Sequence, residues 1–127
     1  MTKPLTTSTM ALMLIAGSSS GAAVTVDFQR QIRPLLSDNC FQCHGPDSDT
    51  RMAGLRLDRQ ESASSVIVTG KPADSQLYRR ITAPTPARRM PPERSHKSLT
   101  PAQIGLLKTW IDQGAPWHRN IGPFDRR

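Results

Sequence analysis

"NCFQCHGP", residues 39–46, holds both cysteines of the 127-residue chain, two residues apart, with a histidine directly behind the second. Four chemistries use such a stretch: a disulfide, a metal site, a thiol redox centre and a covalently attached haem. A thioredoxin-like centre wants its Cys-x-x-Cys in a βαβ context, and no such pattern surrounds this one. A structural zinc site needs four ligands. Cys40, Cys43 and His44 give three, the adjacent Cys43 and His44 are poorly placed to share one tetrahedral ion, and His96 or His118 has to complete the set. A plain disulfide leaves His44 unexplained, and the tiny loop it closes constrains the unfolded chain little. Covalent haem accounts for all three residues. Two thiols add across the two porphyrin vinyl groups, the two-residue gap lets both sulfurs reach one edge of the ring, and the next imidazole lands under the iron. The disulfide is the remaining rival.

The N-terminus agrees with an exported protein. "MTKPLTTSTMALMLIAGSSSGAAV" has a weakly positive start at Lys3, a short apolar run "MALMLIAG", and then the small residues "SSSGAA" that a signal peptidase accepts. The apolar run falls far short of the ~20 residues of a membrane-spanning helix. Residues 1–23 therefore read as a signal peptide, cleaved after Ala22 or Ala23, and residues 24–127 as one domain in the periplasm with no membrane span. No cysteine follows the apolar run, which argues against a lipid anchor.

Core material is scarce. Aromatic residues are 5% of the chain, and 8 glycines with 11 prolines demand much turn and loop; mean hydropathy is −0.46. A chain this poor recruits a disulfide, a metal or a cofactor to complete its centre. The formal net charge is +7, or +6 without Lys3, with arginines paired at 79–80, 88–89 and 126–127. Such a face serves solubility or steers an acidic partner into contact. No nucleic-acid module or aromatic stacking platform accompanies the charge, so nucleic acid is not expected as a partner.

Three segments read as helical. In "DFQRQIRPLLSDN", Phe28, Ile32, Leu35 and Leu36 form a stripe, and Pro34 either kinks the helix or starts it. In "PADSQLYRRI", Leu77, Tyr78 and Ile81 share a side, with Asp74 and Ser75 as expected caps. The third segment has Thr100 as N-cap, Pro101 at the first position, Gln103 to complete a capping box and Gly114 as the stop. Its stripe is Ile104, Leu107 and Ile111 with Trp110 beside it; Gly105 fits either a close helix crossing or a solvent face. "SSVIVTG" is at most one short extended piece, and the long irregular stretches 45–72 and 82–99 suggest loops wrapped around a ligand.

For the sixth iron position the exported chain offers Met52, Met90, His96 and His118. Met52 follows His44 too closely to reach the opposite face. Met90, in "ARRMPPERS", stands on a loop stiffened by Pro91 and Pro92 and belongs to no helical stripe, so it is the preferred ligand. His96 is the runner-up and open iron the third choice. Leu55, Leu57, Leu77 and Trp110 are candidates to bury the ring, or simply core. A carbonyl in the loop after His44 should accept the proton on its second ring nitrogen.

The chain resembles a class I cytochrome c and, more closely, the planctomycete-type cytochrome c domain. The likeness spans about residues 25–117 and rests on "VDFQRQIRPLLSDNCFQCHGPDS", "AGLRLD", "VTGKPADSQLYRRI", "RMPP" and "LTPAQIGLLKTWIDQGA". It implies a mainly α fold, with three or more short helices and long loops wrapped around one covalently bound haem c, the first and last helices crossing. It also implies thioethers at Cys40 and Cys43, with His44 and Met90 as axial ligands. Members often front much larger secreted proteins, whereas this sequence stops at "PWHRNIGPFDRR". The expectation is an electron-transfer protein rather than an enzyme, whose partners are redox proteins, acidic-surfaced ones among them. The alternatives are a haem-bearing subunit of an exported oxidoreductase complex and, behind it, a non-haem domain with a disulfide.

Overall fold

The computed structural model describes residues 1–5, 17 and 24–118; the signal-peptide assignment falls mostly outside them, as does the Arg126–Arg127 pair. The architecture is mainly α. Four α-helices, α1 (Arg33–Asn39), α2 (Gln60–Ala63), α3 (Gln76–Ile81) and α4 (Pro101–Asp112), carry the fold, and there is no strand among the described residues.

The first predicted helix combines both readings of Pro34. A π-helical turn, Phe28–Ile32, leads directly into α1, whose first turn contains the proline. A proline in a helix interior lacks an N–H and crowds the carbonyl four residues back. The wider turn ahead of it avoids that clash while the apolar stripe continues: Phe28, Ile32, Leu35 and Leu36 are all buried. Asp27 caps the entry, accepting from the Arg30 N–H, while its own N–H donates to Gln31 Oε1 at 2.8 Å.

Helix α4 forms as its sequence dictates. The Thr100–Gln103 capping box is complete in both directions, Pro101 takes the first position, and Gly114 reverses the chain at φ +93°. Leu107, Trp110 and Ile111 are buried. Helix α4 packs against the Phe28–Ile32 turn, so the first and last helical segments meet. Gln113 locks them: its Oε1 accepts from the Val26 N–H at 2.8 Å and its Nε2 donates to the Val24 carbonyl at 3.0 Å. Gly105 has no part in this contact. A methyl group added there meets nothing within 4 Å, so it is the solvent-face glycine.

Trp110 takes the core reading of the two that its sequence position left open. It stands in an aromatic cluster, 5.6 Å from Phe28 and 6.0 Å from Trp117 between ring centroids, and its Nε1 donates to the Pro116 carbonyl at 2.9 Å. That buried donor needed a partner, and the turn after α4 supplies it. Trp110 is therefore core on the side formed by the two terminal helices.

Helix α3 corrects one expectation. Neither Asp74 nor Ser75 caps it with a side chain; Asp74 lies in a 3-10 turn, Pro72–Asp74, just before the helix. Ser75 is fully buried and works as a three-way pin. Its Oγ accepts from the Val68 N–H at 2.9 Å and lies within hydrogen-bond reach of the Val68 and Lys71 carbonyls. The run "SSVIVTG" is thereby fixed without a strand partner: Leu77 N–H donates to the Val66 carbonyl and Gly70 N–H to the Ile111 carbonyl. Backbone groups that a ladder would satisfy are met one by one.

Candidate functional site

The cysteine stretch begins where α1 ends. Cys40 N–H donates to the Leu36 carbonyl at 2.7 Å, and the chain then turns back so that Cys43 and His44 N–H groups both point at the Cys40 carbonyl, at 3.2 and 2.8 Å. Gly45 is obligatory in this turn: a Cβ there would stand 2.2 Å from the Phe41 carbonyl oxygen. No disulfide joins the cysteines; both are free thiols. Burial pushes the Cys40 thiol up to about 12, with Lys97 pulling the other way and Cys43 adding to the rise.

The loop after His44 closes on the turn. Met52 N–H donates to the Cys43 carbonyl at 2.7 Å and Leu57 N–H to the His44 carbonyl at 2.8 Å. Arg51 fastens it from outside, its Nε and Nη2 donating to the Gly45 and Pro46 carbonyls at 3.1 and 3.0 Å. The result is the expected bond from the histidine: His44 Nδ1 lies 3.2 Å from the Met52 carbonyl oxygen. A carbonyl only accepts, so Nδ1 carries the proton. In the neutral ring, Nε2 then keeps a lone pair for a ligand.

His44 faces an apolar cavity of about 310 Å³. Leu36 and Leu107 wall it from the helices, Leu55 and Leu57 from the first long loop, and Leu77 and Ile81 from α3. Cys40 and Met90 complete its rim, with Arg80. An adjoining hollow of about 230 Å³ brings in Cys43, Met52, Pro91 and Pro92, and shares Cys40, His44 and Met90 with the first. The "AGLRLD" stretch shows how the loop makes a wall. Leu55 and Leu57 turn to the cavity while Arg56 pairs with Asp58 at 2.6 Å, and Arg56 N–H donates to Ser62 Oγ.

Of the residues singled out from sequence, the structure thus gathers Cys40, His44 and Met90 on one cavity and Cys43 on its neighbour. Met90 is half-buried and its N–H is held by the Arg80 carbonyl at 3.0 Å. His96 and His118 are exposed and line neither space. Among the described residues no group of three or more His, Cys, Asp or Glu could hold a metal ion, so the set a zinc reading requires is not assembled there. Leu55, Leu57 and Leu77 line the cavity as expected, whereas Trp110 does not. Leu36, Leu107 and Arg51 escaped the sequence reading as site residues. The doubled leucines at 35–36 and 106–107 carried the signal for the first two, since adjacent apolar residues on a helix serve two buried faces.

Two thiols, an imidazole with one open nitrogen and a thioether around apolar walls are the groups that a covalently held haem would use. A mainly α fold around such a cavity fits a cytochrome c-like domain. Residues 40–94 match the family described as Planctomycete cytochrome C, which supports a planctomycete-type cytochrome c domain over that stretch. The match runs from the first cysteine to just beyond Met90 and is shorter than the resemblance read from the sequence; α1 and α4 lie outside it. It supports haem binding and electron transfer. The comparisons with curated proteins and with solved structures gave no match. Among the described residues no helix is long and apolar enough to cross a membrane.

Proposed function

We propose that the chain is an exported, periplasmic electron-transfer protein that carries one haem c and turns over no substrate of its own. The Cys40 and Cys43 thiols form the thioethers. They would hold the haem by addition of each S–H across one vinyl double bond, sulfur going to one carbon and hydrogen to its neighbour, so the chemistry requires both sulfurs as thiols rather than as a disulfide. When bound, the haem supplies a one-electron ferric/ferrous couple.

His44 and Met90 would hold the haem iron, one through an imidazole nitrogen and the other through a thioether. The observation that carries this is the bond from His44 Nδ1 to the Met52 carbonyl. It spends one ring nitrogen on the backbone, orients the other toward a metal, and puts residue 52 on the side of the imidazole away from that metal. Met52 would accordingly act as a positioning residue through its backbone, and Met90, which lines both spaces with His44 while Met52 lines only the adjoining hollow, would be the thioether ligand. A thioether favours the ferrous state and raises the potential, and the leucine walls exclude water to the same effect. Lys97 ties the Met90-bearing loop to the end of α1 by donating to the Asp38 carbonyl.

Visible spectra of the purified protein, oxidised and reduced, test this reading. A sharp reduced α-band and a weak long-wavelength sulfur-to-ferric-iron band are expected. A colourless protein, or a coloured one without the sulfur band, contradicts the cofactor or the Met90 assignment respectively.

A further inference from the structure

The arginine pairs of α3 and the following loop divide into two kinds. Arg80 and Arg89 brace the backbone. Arg80 Nη1 donates to the Arg88 carbonyl at 3.3 Å, and Arg89 donates from Nε and Nη2 to the Ala83 and Pro84 carbonyls at 2.8 and 2.7 Å. Arg79 and Arg88 are exposed, and their guanidinium groups have no hydrogen-bond or ion-pair partner among the described residues.

The braced loop and α3 enclose a cleft of about 570 Å³, walled by Arg79, Arg80 and Arg88 with no carboxylate among its lining residues. Cations at the end of a helix are favourable for the helix itself, which accounts for Arg79 and Arg80. It does not account for Arg88, which the 3-10 turn Pro86–Arg88 brings in from the next loop. The cleft also shares Gln76 and Arg80 with the leucine-walled cavity, so whatever fills it rests against the wall of the proposed haem site.

We infer that this cleft is the docking surface for a carboxylate-rich face of the protein's redox partner, an inference that rests on the electron-transfer reading above. Two unengaged guanidinium groups match the bidentate geometry of carboxylates. The cleft is far larger than one small anion needs, and its shared wall brings a docked partner close to the cofactor site.

The test uses the haem-loaded protein and a fluorescein-labelled oligo-glutamate peptide, with anisotropy read at low ionic strength. Arg79→Gln with Arg88→Gln should weaken binding by about five-fold, the range of two exposed ion pairs. Arg30→Gln with Arg59→Gln, an equal loss of charge at exposed positions outside the cleft, should change it less than two-fold. Equal weakening by both pairs reduces the effect to net charge and overturns the inference. Displacement of the peptide by millimolar inorganic phosphate in the wild type makes the cleft a small-anion site and overturns it too. The optical spectrum of each preparation reports separately on the haem, so failure of the cofactor reading is not confused with failure of the docking surface.

Discussion

His44 and Met52 are joined from ring to backbone, the Nδ1 of one donating to the carbonyl of the other at 3.2 Å. This single bond separates the two methionines that flank the site. On the proposed reading, Met52 acts through an atom every residue possesses and Met90 through its sulfur. Met90→Ala should therefore abolish the long-wavelength sulfur-to-ferric-iron band, and Met52→Ala should leave it intact. The reverse pattern would exchange their roles. Met52 is exposed, at 47%, so its truncation carries little stability cost of its own.

Arg51 holds the loop that presents the Met52 carbonyl, through its two bonds to Gly45 and Pro46. Arg51→Met should loosen the His44 bond and leave the ring less electron-rich. Ferric iron is then less well stabilised, and the reduction potential rises. Faster solvent exchange of the His44 Nδ1 proton should accompany the rise, with Arg51→Lys intermediate because an ammonium cannot reproduce the guanidinium fork. A potential and an exchange rate unchanged in Arg51→Met would mean that the clamp is merely structural.

Two substitutions on α4 should move stability in opposite directions. Trp110→Ala removes a fully buried ring and leaves a cavity between Phe28 and Trp117, at a cost of about 3–5 kcal/mol. Gly105→Ala adds a methyl into open space on a helix and should gain about 0.5–1 kcal/mol. Denaturant unfolding followed in the far-ultraviolet measures both. Destabilisation by Gly105→Ala would show that the helix face is covered after all.

The Arg56 hydrogen bond holds the Asp58 carboxyl below the usual carboxylate range, with the Arg56 charge adding to this and burial opposing it. A carboxylate whose folded pKa is depressed stabilises the fold above its unfolded value, about 3.9, and that contribution is lost as pH falls through the folded value. Asp58→Asn should thus cost about 0.2–1 kcal/mol at neutral pH, the range of a solvent-accessible pair, and the gap to wild type should close below about pH 4. A gap that stays constant across this window in denaturant titrations would trace the loss to packing instead.

Much of this site was legible in the sequence because its parts are local. Cys40, Cys43 and His44 lie on one turn, and the Thr100 capping box and Gly114 mark α4 without help from distant residues. Ser75 was misread for the opposite reason. Its position matches a cap, but its hydroxyl is claimed by Val68 and by Lys71, which only the tertiary fold brings around it. Trp110 was left open between the cavity and the core, because size and hydrophobicity cannot say which of two buried faces a side chain serves; the fold puts it in the core. Met90 occupied the middle ground: the prolines beside it marked a stiff loop, but only the fold places it on the His44 cavity. The Arg51 clamp left no pattern at all, since an arginine reaching carbonyls five and six residues back looks in sequence like any surface charge.

The most direct test of the central claim is the intact mass, under denaturing conditions, of the protein expressed with a cytochrome c maturation system. The account predicts the chain mass less the leader plus one haem, with the haem lost when Cys40 and Cys43 are both replaced by serine. A purified, folded protein whose mass is that of the bare polypeptide would contradict it.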